Sequence, residues 1–149
     1  DLNSIELRTD VMYGAFLSGI ALMHSGTGPA AALSYPLGVH YGVPHGIGGA
    51  VFLPSVVLFN ISKGFYMYSG LLEGHRDFSF QNPSDGSKQF LDLLHSTFTR
   101  ASIHKVFENL TLDHDLIIRE TMELKGALDQ NPIEFGEDEI SFVLNQLKN

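Results

Sequence analysis

From Val11 to Ser62 the chain carries not one Asp, Glu, Lys or Arg. Apart from Asp1, Glu6, Arg8 and Asp10, every charged residue lies from Lys63 onward. A stretch of that length has three physical explanations: insertion in a membrane, burial inside a larger assembly, or the wall of a pocket. Membrane insertion fits poorly. The longest run free of strongly polar groups, Val11 to Met23, is shorter than the ~20 residues a spanning helix needs. Gly26, Pro29, Pro36, Pro44 and the histidines 24, 40 and 45 then interrupt the region, and no basic flank sets an orientation. Burial fits better, because a helix apolar all round belongs in the core of a sizeable protein. A chain of 149 residues has little room for several such helices. The excess points to a partner domain or subunit.

Hydrophobic residues make up 44% of the chain and charged residues 17%, a globular composition. The net charge of -8 and pI near 5.2 argue against nucleic acid or an anionic membrane as partner, since both need a basic face. The absence of cysteine excludes a disulfide framework, thiol catalysis and thiolate metal ligation, and it fits a cytoplasmic protein. The start at Asp1, with no signal peptide before it, is what a chain cut in a loop between elements would show. Asn60-Ile61-Ser62 and Asn109-Leu110-Thr111 match the glycosylation pattern, a match that short sequences often make by accident.

The apolar periodicity predicts helices and no strands. Asp10 is the expected cap of a helix over residues 11–23, closed by Gly26-Thr27-Gly28. A second helix is expected over 29–37 with Pro29 at its first position, then a loop over 38–43 and a third helix from Pro44 to residue 60. Residues 63–73 read as helical and 74–86 as an exposed loop. Amphipathic helices are expected over 87–101, 113–129 and 137–147, with Asn131-Pro132 in the loop before the last. The fold class is therefore all-α, one helical bundle-like domain over residues 1–149. Gly26-Thr27-Gly28-Pro29-Ala30-Ala31 has the dinucleotide-binding spacing G-x-G-x-x-A. That fingerprint works only between a strand and a helix, with an acid about 20 positions on. Here a helix precedes it and no acid lies around Ile47, so it reads as a helix–helix turn.

The informative segment runs from Pro36-Leu37-Gly38 through His40 and Pro44-His45-Gly46 to Leu53-Pro54. Pro44 places His45 in the first turn of a helix, where free backbone N–H groups gather and the dipole disfavours an imidazolium. Neutral imidazole is the form that ligates a metal. Gly46, Gly48 and Gly49 leave one side of the turn bare, so that a ligand or another backbone can approach. The plain alternative is a helix start with a solvated histidine.

Pro44-His45-Gly46 followed by Ala50 and Leu53-Pro54, and preceded by Tyr35-Pro36-Leu37-Gly38, resembles the second signature region of the iron-containing alcohol dehydrogenases. Residues 14–21 with Gly26-Thr27-Gly28 look like that family's helix and turn, and Asn131-Pro132 with residues 137–140 like its final loop and closing helix. The resemblance runs from near residue 10 to the C-terminus, densest over 14–54. It implies the C-terminal helical domain of a two-domain enzyme of the dehydroquinate synthase-like fold group. In that enzyme an N-terminal domain, outside this chain, holds NAD or NADP, and a divalent metal, iron or zinc, sits in the cleft between the domains. The reaction it implies is nicotinamide-dependent oxidation of an alcohol or reduction of an aldehyde or ketone.

By position His45 matches the last metal ligand. The family's Asp-x-x-x-His pair falls before residue 1. Its third ligand and a further cleft histidine fall on Ala31 and Tyr35, four residues apart on one helix face. A methyl group cannot bind metal; a phenol can donate a hydrogen bond or act as a general acid. Metal would then be held by fewer ligands, held with help from His40, or lost. Tyr35 and His40 are accordingly the candidates for moving a proton, and Leu22, His24 and Asn131 the candidates for lining the substrate. His75, His95, His104 and His114 read as surface residues, and Phe65, Tyr66 and Tyr68 as packing. The partners implied are the N-terminal domain, a small alcohol or carbonyl substrate and a second copy in a homo-oligomer, with no nucleic acid or membrane. The chain by itself is expected to be inactive. Two other readings stay open: a divergent dehydroquinate synthase-like enzyme with other chemistry, and a helical interaction module that has lost catalysis.

Overall fold

The computed structural model describes residues 3–147, and among these there are seven α-helices, two short 3-10 turns and no strand. Helix α1 (Ile5–Ser25) begins at Ser4, whose hydroxyl accepts from the Leu7 N–H at 3.3 Å. It therefore starts a turn and a half before the expected position, and Asp10 lies inside it rather than capping it. Not one α1 residue is buried, although Val11, Met12, Phe16, Ile20 and Met23 are large and apolar. The helix thus leaves an apolar surface exposed.

Helix α2 (Pro29–Tyr41) and helix α3 (His45–Ser62) form a tight hairpin at the centre of the domain. Pro29 opens α2, as expected, and Gly26-Thr27-Gly28 is the helix–helix turn before it. The expected loop over 38–43 is instead mostly helix. Two ties from helix α5 (His114–Met122) hold the last turn: the Asp113 N–H donates to the Tyr41 hydroxyl at 2.8 Å, and His40 meets Glu120. Gly42, at φ 67°, then takes the left-handed conformation that ends the helix. At Gly48 a Cβ would lie 3.0 Å from the Ser34 Cβ, so the α2–α3 contact depends on the missing side chain.

One face of the hairpin builds the main core. Ala32, Leu33 and Leu37 of α2 and Phe52, Val56 and Phe59 of α3 pack with Ile117 of α5 and Leu128 of helix α6 (Lys125–Leu128). Phe135 and Ile140, Val143 and Leu144 of helix α7 (Glu137–Gln146) complete it. The opposite face of α3 sets Val57 and Ile61 against Leu91 of helix α4 (Pro83–Arg100). By length and composition α3 could cross a membrane, but half of it is buried inside this domain.

Three further boundaries differ from the sequence expectation. Residues 63–73 hold only a 3-10 turn, Met67–Leu71, because the chain reverses after α3 and the Phe65 N–H bonds back to the Asn60 carbonyl at 3.0 Å. Helix α4 starts four residues early, at Pro83, because Asn82 caps it by accepting from the Asp85 N–H at 3.0 Å. The expected helix over 113–129 breaks at Glu123-Leu124 into α5 and α6, which brings Leu124, Ala127 and Leu128 onto the core.

Candidate active site

Helix α3 opens at Pro44, so the His45 ring stands in its first turn, exposed, at the mouth of the hairpin. The Ile47 and Gly48 N–H groups bond back to the Pro44 carbonyl at 2.9 and 3.0 Å. The ring faces α2, where its Nδ1 lies 2.6 Å from the Ser34 Oγ, and the Ser34 hydroxyl donates to the Ala31 carbonyl, also at 2.6 Å. Tyr35 packs its ring at 5.1 Å and 53° to the imidazole and stays 51% exposed. Ala31, Ser34 and Tyr35 are one helical turn on one face, and that face meets His45.

A cleft of about 380 Å³ runs along this junction, lined by His45, Ala31, Gly46, Gly49, Tyr68 and Asn131 among others. Its far wall is a polar cluster in an otherwise apolar setting. Asn60, fully buried, and Asn131 exchange amide hydrogen bonds, and Asn60 Nδ2 also donates to the Tyr68 hydroxyl at 2.8 Å. Burial pushes the Tyr68 phenol above its usual range, against the opposing pull of the Asn60 hydrogen bond. With its amide committed inside the core, Asn60 is closed to glycosylation in the fold.

Three of the sequence candidates, Ala31, His45 and Asn131, thus line the cleft, and Tyr35 packs on the His45 ring without lining it. His40 goes elsewhere: its Nε2 sits 2.8 and 2.9 Å from the two Glu120 carboxylate oxygens, and it does not line the cleft. Leu22 and His24 lie exposed on α1 and do not reach it. Ser34, Asn60 and Tyr68 were not among the expected site residues; Tyr68 was read as packing and Asn60 only as part of a glycosylation match. Ser34 carried a signal, three residues after Ala31 on the same helix face. Asn60 and Tyr68 carried only that of polar groups amid apolar ones.

Among the described residues, no group of three or more His, Asp or Glu could hold a metal ion. At the cleft Ala31 presents a methyl, which cannot ligate a metal. The described residues do not fit a divalent metal by themselves, and His45 is the imidazole they offer at the cleft. The glycine turn at 26–28 lies between two helices, not between a strand and a helix.

Residues 1–147 match the C-terminal part of the Fe-containing alcohol dehydrogenase family. The chain belongs to that family. Alcohol dehydrogenase 4 of Saccharomyces cerevisiae is 27% identical over 142 residues, 95% of this chain and 37% of the yeast protein. The Schizosaccharomyces pombe alcohol dehydrogenase 4 is 40% identical over 55 residues, 37% of this chain and 13% of that protein. The 1,3-propanediol dehydrogenase of Klebsiella pneumoniae is 32% identical over 59 residues, 40% of this chain and 15% of that protein. The chain thus spans little more than a third of the yeast relative it matches almost end to end. No solved structure matches it. The relatives named are dehydrogenases, so the family is an enzymatic one.

Proposed function

We propose that residues 1–149 supply one wall of the active site in a nicotinamide-dependent dehydrogenase acting on an alcohol, aldehyde or ketone. The observation that carries this reading is the His45 cleft itself, an exposed imidazole braced by Ser34 and Tyr35 at a bare glycine turn. A nicotinamide, held by segments outside this chain, supplies the hydride chemistry. The side chains here handle the oxygen. An alcohol oxygen seated in the cleft can give its proton to His45 Nε2 as the carbinol carbon is oxidised, and Tyr35 can donate a hydrogen bond to the same oxygen. Were a divalent metal, iron or zinc, bound there, His45 Nε2 would be its ligand from this chain in place of taking the proton, with its other ligands from elsewhere. His40, bonded to Glu120, serves to tie α2 to α5. The bare apolar surface of α1 fits the same picture, because a packed partner would bring Leu22 and His24 beside a shared cleft.

One observation favours a second reading. Ala31 and the single cleft imidazole are what a helical module that has lost catalysis would show. Nicotinamide-linked turnover of small alcohols and aldehydes by the full-length protein separates the two. Turnover supports the dehydrogenase. A folded full-length protein that neither binds nor reduces NAD or NADP supports the module.

A further inference from the structure

We propose that Ser34 is a positioning residue that locks His45 as its Nδ1–H tautomer and so presents a bare Nε2 to the cleft. The Ser34 hydroxyl owns one proton. Its Oγ lies 2.6 Å from the Ala31 carbonyl oxygen, which can only accept, so that proton is spent there. The same Oγ lies 2.6 Å from His45 Nδ1. With no hydroxyl proton left between them, two lone pairs at that distance would repel, so the proton on this bond belongs to Nδ1. In a neutral imidazole the other nitrogen is then an acceptor. The two ring nitrogens point nearly opposite ways. With Nδ1 aimed at the buried Ser34, Nε2 looks out on the exposed side of the ring.

A serine beside a histidine is also how a nucleophilic hydroxyl is activated. Ser34 cannot act that way. It is 0% exposed, its proton is held by the Ala31 carbonyl, and no substrate carbon can reach its Oγ. Its role is transmitted through His45. Gly48 keeps the two in register, since a Cβ there would press on the Ser34 Cβ at 3.0 Å and its Cα at 3.3 Å. The usefulness of a bare Nε2 rests on the dehydrogenase reading above; the tautomer itself does not.

The test uses the full-length protein carrying 15N-imidazole histidines, with His45 assigned by its loss in His45→Gln. Long-range proton–nitrogen correlation at alkaline pH, where imidazole is neutral, should show His45 protonated at Nδ1 and bare at Nε2. Ser34→Ala should move the proton toward Nε2, and Ser34→Thr, which keeps the hydroxyl, should return it. On the dehydrogenase reading kcat/KM for an alcohol falls about tenfold in Ser34→Ala, part of the 10²–10⁴-fold that a positioned general base contributes, and Ser34→Thr recovers it. A parent His45 protonated at Nε2, or a tautomer unmoved in a folded Ser34→Ala, overturns the proposal. The parent measurement decides even if Ser34→Ala fails to fold. If the tautomers behave as stated and the parent turns over no alcohol or aldehyde, the lock stands and the dehydrogenase reading alone falls.

Discussion

Asn60 and Asn131 bond to each other through both ends of their side-chain amides, Nδ2 to Oδ1 at 2.9 Å in one direction and 2.8 Å in the other. The pair joins the end of α3 to the loop before α7 across 71 positions of sequence. Asn131 Nδ2 donates as well to the Ile133 carbonyl at 2.8 Å, which fixes the loop's course beside the cleft. Asn131→Ala would strand the buried Asn60 amide and free that loop. The expected cost is about 2–3 kcal/mol, from the lost bonds and the unpaired buried group. Urea unfolding of the parent and the variant measures it; a change below about 0.5 kcal/mol would mean water replaces Asn131 fully.

That bond also shows what one sequence does and does not reveal. The starts of α2 and α3 were legible because Pro29 and Pro44 act locally. The end of α2 was not, because its last turn is held by Asp113 and Glu120, 72 and 80 positions away. The break between α5 and α6 carries neither glycine nor proline; it is set by which side chains the core takes. In and beside the cleft, His45, Tyr35, Ala31 and Asn131 could be named from their motifs. Asn60 and Tyr68 acquire their roles only once α3 and the following turn fold back, and Leu22 and His24 sit on a helix none of whose residues is buried.

Tyr68 gives a pH signature. Burial raises its folded pKa above the ordinary 10.0, while the Asn60 hydrogen bond pulls the other way without cancelling it. The folded chain therefore keeps a proton that the unfolded chain releases. Stability from this group is complete below pH 10.0 and is lost as the pH rises through the raised value. Tyr68→Phe should cost about 1 kcal/mol at neutral pH, from the lost hydroxyl acceptor, and should flatten the alkaline fall. Urea midpoints taken between neutral pH and about pH 11 check it; parallel profiles for parent and variant would refute it.

Helix α1 predicts how residues 1–149 behave alone. Met12 is 68% exposed, Phe16 63% and Met23 85%, and together such side chains make an apolar surface larger than the few hundred Å² a soluble monomer tolerates. The isolated chain should self-associate in sedimentation and bind a hydrophobic dye. Replacing these three residues by Gln should weaken both. A parent chain that sediments as a monomer and leaves the dye dark would show that α1 folds back on its own domain.

On the dehydrogenase reading His45 is the group this chain contributes to chemistry. The direct measurement is nicotinamide-linked turnover of a small alcohol by the full-length protein, parent against His45→Ala, with circular dichroism confirming that both fold. Loss of the imidazole that receives the substrate proton should lower kcat/KM by about 10²-fold or more, with little effect on stability because the ring is exposed. If His45→Ala turns over alcohol as fast as the parent, the cleft at the head of α3 is not the active site.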